Sequence, residues 1–126
     1  NPNMPIQPLS KVASGGELSR IMLALLVSSN GVLSQPLVVF DEIDVGVGGM
    51  TANYIGTTLQ KMSKSVQLIV VTHLPQIARC AAHHFTITKT VKANDTCVII
   101  EQLKKEDVSI ELQRMVGGDL VASLIK

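Results

Sequence analysis

Leu37-Val38-Val39-Phe40-Asp41-Glu42 is a short, wholly apolar run bounded by Pro36 before it and by charge after it. That pattern predicts a strand buried on both faces, with its side chains turning reactive where it leaves the core. Downstream, Val66-Gln67-Leu68-Ile69-Val70-Val71 repeats the pattern and runs into Thr72-His73. Between the two, Thr51 is placed to cap a helix ending near Met62, with Ile55, Leu59 and Met62 inward. Upstream, Ser14-Gly15-Gly16-Glu17 precedes apolar residues at Leu18, Ile21, Met22, Leu25 and Leu26, whose steps of three and four predict a helix over 14–28. Ser14 with Glu17 is a capping box, which fixes that helix start.

Outward from this centre the signals are weaker. Residues 1–13, with Pro2, Pro5 and Pro8, read as an extended lead-in, and Asn30-Gly31 and Gln35-Pro36 read as breaks. Pro75 suits the first turn of a short helix through Ala82. Phe85-Thr86-Ile87-Thr88 and Cys97-Val98-Ile99-Ile100 flank Lys92-Ala93-Asn94-Asp95 as a hairpin. A last helix is expected from Ser109 to Val116, stopping at Gly117-Gly118, with another starting at Asp119. Helices alternating with apolar strands imply an α/β layer with parallel central strands and a hairpin at its C-terminal side. The sequence starts without Met and ends mid-pattern at Ile125-Lys126, so it reads as part of a longer chain.

Composition narrows the function. Hydrophobic residues are 46% and charged residues 17%, enough to build a core and unlike a disordered tail. The longest apolar run, Ile21 to Val27, is far short of the ~20 residues of a membrane span. A net charge of +1 gives no basic footprint for autonomous DNA binding. Phe40, Tyr54 and Phe85, the only aromatics, offer no platform for stacked bases. Cys80 and Cys97 form no C-x-x-C and read as small buried hydrophobes in a reduced setting. His73, His83 and His84 lack a zinc-ligand spacing.

The chemistry-bearing residues fall where an open α/β sheet binds ligands, beyond the carboxyl ends of its strands. If the two strands are parallel neighbours, Asp41, Glu42 and His73 converge on one edge. A carboxylate on a rigid strand end suits Mg²⁺, and the next one can activate a water for phosphate transfer. At the other motif, unpaired N–H groups and a positive helix dipole at Ser14-Gly15-Gly16 make an anion cradle suited to a nucleotide γ-phosphate. Gly46-Val47-Gly48-Gly49-Met50-Thr51 imitates a dinucleotide loop but has Thr51 at the third glycine position. No G-x-S-x-G occurs, and no G-x-x-x-x-G-K-[ST] to hold α- and β-phosphates.

Together these residues resemble a family. Val12-Ala13-Ser14-Gly15-Gly16-Glu17-Leu18-Ser19-Arg20 resembles the signature motif of ABC-type ATPases, in the form used by SMC-like DNA repair proteins. Leu37 to Glu42 resembles their Walker B strand, Ile43-Asp44-Val45-Gly46 the D-loop, and Val71-Thr72-His73-Leu74 the switch histidine. The motifs follow the family's order, and the resemblance spans residues 8–118. ABC transporters usually carry Gln and Pro where this chain has Glu17 and Ile43.

The resemblance implies a P-loop NTPase-like ABC ATPase head, present here as a partial domain: the C-terminal lobe, comprising residues 1–126. It implies ATP and Mg²⁺ as cofactors, with Asp41 holding Mg²⁺ through water, Glu42 as catalytic base and His73 at the γ-phosphate. Ser14, Gly15, Gly16 and Glu17 would meet ATP bound to a second head, and Asp44 and Gly46 would lie at that dimer interface. The partners implied are the N-terminal lobe of the same protein, carrying the Walker A motif beyond a long coiled coil, and a second head in a homodimer. The resemblance further implies that DNA would be engaged through the full-length protein in double-strand-break repair, in the cytoplasm at the nucleoid and with no membrane. The isolated fragment, lacking Walker A, is expected to be inactive.

Two other readings fit the residues alone. One is a self-contained metal-dependent phosphohydrolase or nuclease using Asp41, Glu42, Asp44 and His73. The other is a non-catalytic interaction lobe.

Overall fold

The structure, a computed structural model, describes residues 7–29, 36–92 and 95–117. The expected breaks at Asn30-Gly31 and Gln35, the early prolines Pro2 and Pro5, the hairpin tip Ala93-Asn94, Gly118 and the helix from Asp119 lie outside them. The order is α1 (Leu9–Val12), α2 (Gly15–Ser28), β1 (Leu37–Phe40), α3 (Gly49–Met62), β2 (Gln67–Val70), α4 (Pro75–Ala78), β3 (Phe85–Lys92), β4 (Asp95–Gln102) and α5 (Lys105–Met115).

The mixed α/β reading holds. β1 pairs with β2 in parallel, Val38 opposite Leu68 and Phe40 opposite Val70. Antiparallel β3 and β4 form a separate hairpin from Phe85↔Gln102 to Lys92↔Asp95. Parallel neighbours need a crossover, and α3 supplies it. α3 packs on α4, and α4 on α5.

The core lies on one face of the parallel pair. Leu23 of α2, Phe40 of β1, Ile43, Ala52, Ile55 and Leu59 of α3, and Ile77 of α4 are buried, with Val38, Leu68 and Val70 packed against them. Full burial of side chains such as Phe40 and Ile43 contributes ~1.5–3 kcal/mol each.

The opposite face corrects the expectation of strands buried on both sides. Leu37, Val39, Ile69 and Val71 remain 43–57% exposed, because no described layer covers them. A parallel pair with a bare apolar face is an incomplete sheet by the usual rule that both faces are covered.

Several boundaries also move. Residues 9–12, expected to be extended, form one helical turn, since Pro8 fixes the backbone before a helix without blocking it. α3 starts at Gly49 with Gly48 as N-cap, earlier than a Thr51 cap allows. α4 stops at Ala78. α5 begins at Lys105, where Glu106 and Asp107 in the first turn favour the positive helix end.

In α2 the apolar stripe points largely outward: Leu18, Ile21, Met22 and Leu25 are exposed while Leu23 is buried. Polar anchors at Ser19 and Arg20 turn the helix. Both cysteines are free; Cys97 is exposed on β4 and not the small buried hydrophobe expected, and Cys80 is half-buried.

Candidate functional site

The site begins with a helix start that the sequence encodes locally. Ser14 is the N-cap of α2: its Oγ accepts the Glu17 N–H at 3.3 Å, and the Ser14 N–H donates to Glu17 Oε2 at 2.8 Å. The Ser14 hydroxyl also donates to Glu17 Oε2 at 3.0 Å. The Ser14 amide, then its hydroxyl, hold the Glu17 carboxyl below its usual range. Ser14 and Glu17 are thus partnered with each other in this structure. Gly15 is exposed beside them, and Gly16 is buried.

Gly16 is buried because the turn after β1 lies on top of it. A Cβ at Gly16 would stand 2.6 Å from the Glu42 carbonyl oxygen and 3.3 Å from Val45 Cβ. Polar bonds fasten the same contact: Ser19 Oγ donates to the Asp41 carbonyl at 2.8 Å, and Arg20 donates to the carbonyls of Ile43 at 3.1 Å and Val45 at 2.9 Å. These anchors set the rotation of α2. Ser19 and Arg20 close the signature-like stretch, but the sequence reading gave them no role of their own. Their signal is spacing, since Gly16, Ser19, Arg20 and Leu23 share one helical face at steps of three and four.

The turn itself is irregular. Glu42 has a φ of 58° and Gly46 a φ of 72°. At Gly46 only the backbone conformation calls for glycine, since nothing lies within 4 Å of a Cβ there. For Glu42 the left-handed region costs of order 1–3 kcal/mol, a strain that concentrates at functional sites. Its carboxylate lies against Gly15, where a Cβ would collide with Oε2. Asp41 is exposed at the strand end.

Parallel pairing puts the ends of β1 and β2 on one rim, and the Val71 N–H extends the ladder by donating to the Phe40 carbonyl at 2.9 Å. Residues 41–44 and 72–73 therefore share an edge. The pair in contact is Asp44 and His73, with Asp44 Oδ2 3.0 Å from His73 Nδ1. Asp44 Oδ2 also accepts from Thr72 Oγ1 at 2.5 Å and from the His73 N–H at 2.8 Å. Burial acts to raise the Asp44 carboxyl, but the Thr72 hydroxyl and His73 amide outweigh it and hold it below the aspartate range. Asp44 is 2% exposed, and within this chain its carboxylate faces inward. Thr72 was quoted beside His73 but given no role; a hydroxyl next to a strand-end histidine is its sequence signal.

Among the described residues no group of three or more His, Cys, Asp or Glu is placed to hold a metal ion. Asp41 offers an exposed carboxylate at the end of β1. That fits Mg²⁺, which takes one or two protein carboxylates and completes its shell with water and phosphate oxygens. No described helix is long and apolar enough to cross a membrane.

Comparison with known proteins follows the same lines. The family described as "RecF/RecN/SMC N terminal domain" matches residues 7–96. The chain is 44% identical over 121 residues to "DNA repair protein RecN" of Vibrio cholerae serotype O1, covering 96% of this chain and 22% of that protein. It is 44% identical over 123 residues to the protein of that name from Rickettsia typhi, covering 98% and 22%. To the one from Xylella fastidiosa strain Temecula1 it is 38% identical over 122 residues, covering 94% and 21%. The chain thus spans about a fifth of the length of the curated relatives it matches.

A solved structure from work on "Structural biochemistry of ATP-driven dimerization and DNA stimulated activation of SMC ATPases" superposes with a TM-score of 0.56. It is 20% identical and covers 90% of this chain and 67% of that one, a likeness of fold. The family match over residues 7–96, with these identities to its relatives, gives the assignment: the chain belongs to the RecF/RecN/SMC N-terminal domain family.

Proposed function

We propose that this chain is the C-terminal lobe, residues 1–126, of the ATPase head of a RecN-like protein that acts in recombinational repair of DNA double-strand breaks. One observation carries the reading: parallel β1 and β2 bring Asp41, Glu42 and His73 to a single rim, with the Ser14-Gly15-Gly16 helix start fastened to the same turn. The bare face at Leu37, Val39, Ile69 and Val71 supports an N-terminal lobe, carrying Walker A, packing there.

In this reading Asp41 holds Mg²⁺ through water, and Glu42 orients and deprotonates the attacking water. His73 meets the γ-phosphate of ATP. Bound Mg²⁺ supplies charge neutralisation at the transferring phosphoryl group. Ser14, Gly15, Gly16 and Glu17 form the edge offered to ATP held by a second head, and Gly46 lets the turn after β1 approach that head. Closure of two heads around ATP, and reopening after hydrolysis, reorganises DNA ends bound by the whole protein in the cytoplasm, at the nucleoid.

The metal-dependent phosphohydrolase reading is disfavoured because Asp44 and His73 are engaged with each other and no acidic cluster forms among the described residues. The test is Glu42→Gln in the full-length protein. Loss of a general base lowers turnover ~10²–10⁴-fold, while ATP-driven head pairing persists. Normal turnover in that variant defeats the assignment. A purified N-terminal lobe that gains ATPase activity on addition of this chain separates the reading from that of a non-catalytic interaction lobe.

A further inference from the structure

We infer that Asp44 is a positioning residue for His73 of its own chain: its buried carboxylate takes the Nδ1 side of the imidazole, so Nε2 is the nitrogen offered to a phosphate anion. The inference rests on the ATPase reading for its purpose, but the contact stands on its own geometry.

Asp44 Oδ2 gathers donors from one short segment, the Thr72 hydroxyl at 2.5 Å and the His73 amide at 2.8 Å, and stands 3.0 Å from His73 Nδ1. Thr72 Oγ1 in turn accepts the Leu74 N–H at 3.1 Å, which ties the carboxylate to the whole turn after β2. A carboxylate oxygen carries only lone pairs, and a lone pair on Nδ1 would face them at 3.0 Å, so the close approach favours the tautomer with its N–H on Nδ1. That assignment follows from the partner, as it does for histidines held by carboxylates elsewhere.

The two side chains differ sharply in exposure, 68% for His73 and 2% for Asp44. The carboxylate is therefore a fixed, sheltered support, and the ring projects from it. Nε2 has no hydrogen-bond partner among the described residues. In the neutral ring it carries a lone pair. It becomes a donor when a proton from bulk water adds there, giving an imidazolium between two anions, Asp44 on one side and phosphate on the other. The same carboxylate thus fixes the ring's direction. Asp41 and Glu42, although on the same rim, make no such contact with the ring.

The experiment uses the full-length protein with ¹⁵N-labelled histidine, and reads the ring-nitrogen shifts of His73 without nucleotide, assigned by their loss in His73→Gln. The expected result is a proton on Nδ1 in the unsubstituted protein and on Nε2 in Asp44→Ala. A proton on Nε2 in the unsubstituted protein overturns the inference, as does an unchanged ring in a folded Asp44→Ala. Should Asp44→Ala not fold, Asp44→Asn keeps the size and an acceptor while losing the charge.

Steady-state ATPase kinetics supply the second arm. Asp44→Asn is expected to lower kcat ~10–100-fold, the scale seen when partners of metal-bound imidazoles are removed. If Asp44 acts through His73, the double variant with His73→Gln is no slower than His73→Gln alone. Fully multiplicative losses overturn the inference. An unsubstituted protein that does not hydrolyse ATP would instead defeat the ATPase reading, and the ring-nitrogen result would still decide the role of Asp44.

Discussion

Replacing Gly16 by alanine puts a methyl group into the contact that holds the signature-like helix to the turn after β1. The new Cβ would lie 2.6 Å from the Glu42 carbonyl oxygen, 3.1 Å from the Arg20 guanidinium and 3.3 Å from Val45 Cβ. Comfortable carbon contacts sit at ~3.5–4.0 Å, so α2 must withdraw by roughly an ångström. Arg20 can swing aside only by leaving the Ile43 and Val45 carbonyls it serves at 3.1 and 2.9 Å. Overpacking of this kind costs ~1–3 kcal/mol, and the better helix propensity of alanine returns at most ~1 kcal/mol. The net loss reaches ~2 kcal/mol, which raises the local opening population up to ~30-fold.

Hydrogen exchange read by mass spectrometry on the full-length protein, over peptides covering residues 12–23 and 41–47, measures that loss. Gly15→Ala is the internal comparison, because its Cβ meets only the far end of the Glu42 side chain, which can rotate away. Protection should therefore fall much more in Gly16→Ala than in Gly15→Ala. Equal effects, or unchanged protection in Gly16→Ala, would refute the claim that close backbone approach is what requires glycine there.

Other expectations follow from single contacts. Ser14→Ala removes the acceptor for the Glu17 N–H and should cost ~1 kcal/mol of α2 stability, seen as several-fold faster exchange confined to the first turn of that helix. Because the folded Asp44 carboxyl sits below the ordinary aspartate range, its stabilisation is complete above ~pH 4 and disappears as pH falls through the depressed folded value. Acid titration below that range should loosen residues 72–74 in the unsubstituted protein, with a smaller pH response in a folded Asp44→Asn variant; an identical response in both contradicts the assignment.

Local chemistry made much of this molecule legible in advance. The capping box at Ser14 and Glu17 needs only residues three apart, and it forms as the sequence implied. The apolar runs at 37–40 and 67–70 became strands because their pattern allows little else, and a connecting helix of fitting length made them parallel. The shared rim of residues 41–44 and 72–73 follows from that pairing alone.

Side-chain direction in the turn after β1 could not be read the same way. Periodicity assigns faces in helices and strands, but a turn with a φ of 58° at Glu42 and 72° at Gly46 follows no period. Sequence therefore named Asp41, Glu42, Asp44 and His73 without saying which carboxylate meets the imidazole. Long-range packing settled it, because Ile43 is drawn fully into the core and its neighbour Asp44 turns beneath the Thr72-His73 backbone.

The direction of α2 was hidden for a related reason. Its apolar stripe pointed to Leu18, Ile21 and Leu25, yet Gly16, Ser19 and Arg20 dock the helix through a close approach and three carbonyl contacts. The amino-acid order determined which elements exist and which residues gather at the strand ends. The folded arrangement alone determined which of those residues touch, because contacts between irregular segments depend on how distant apolar groups share one core.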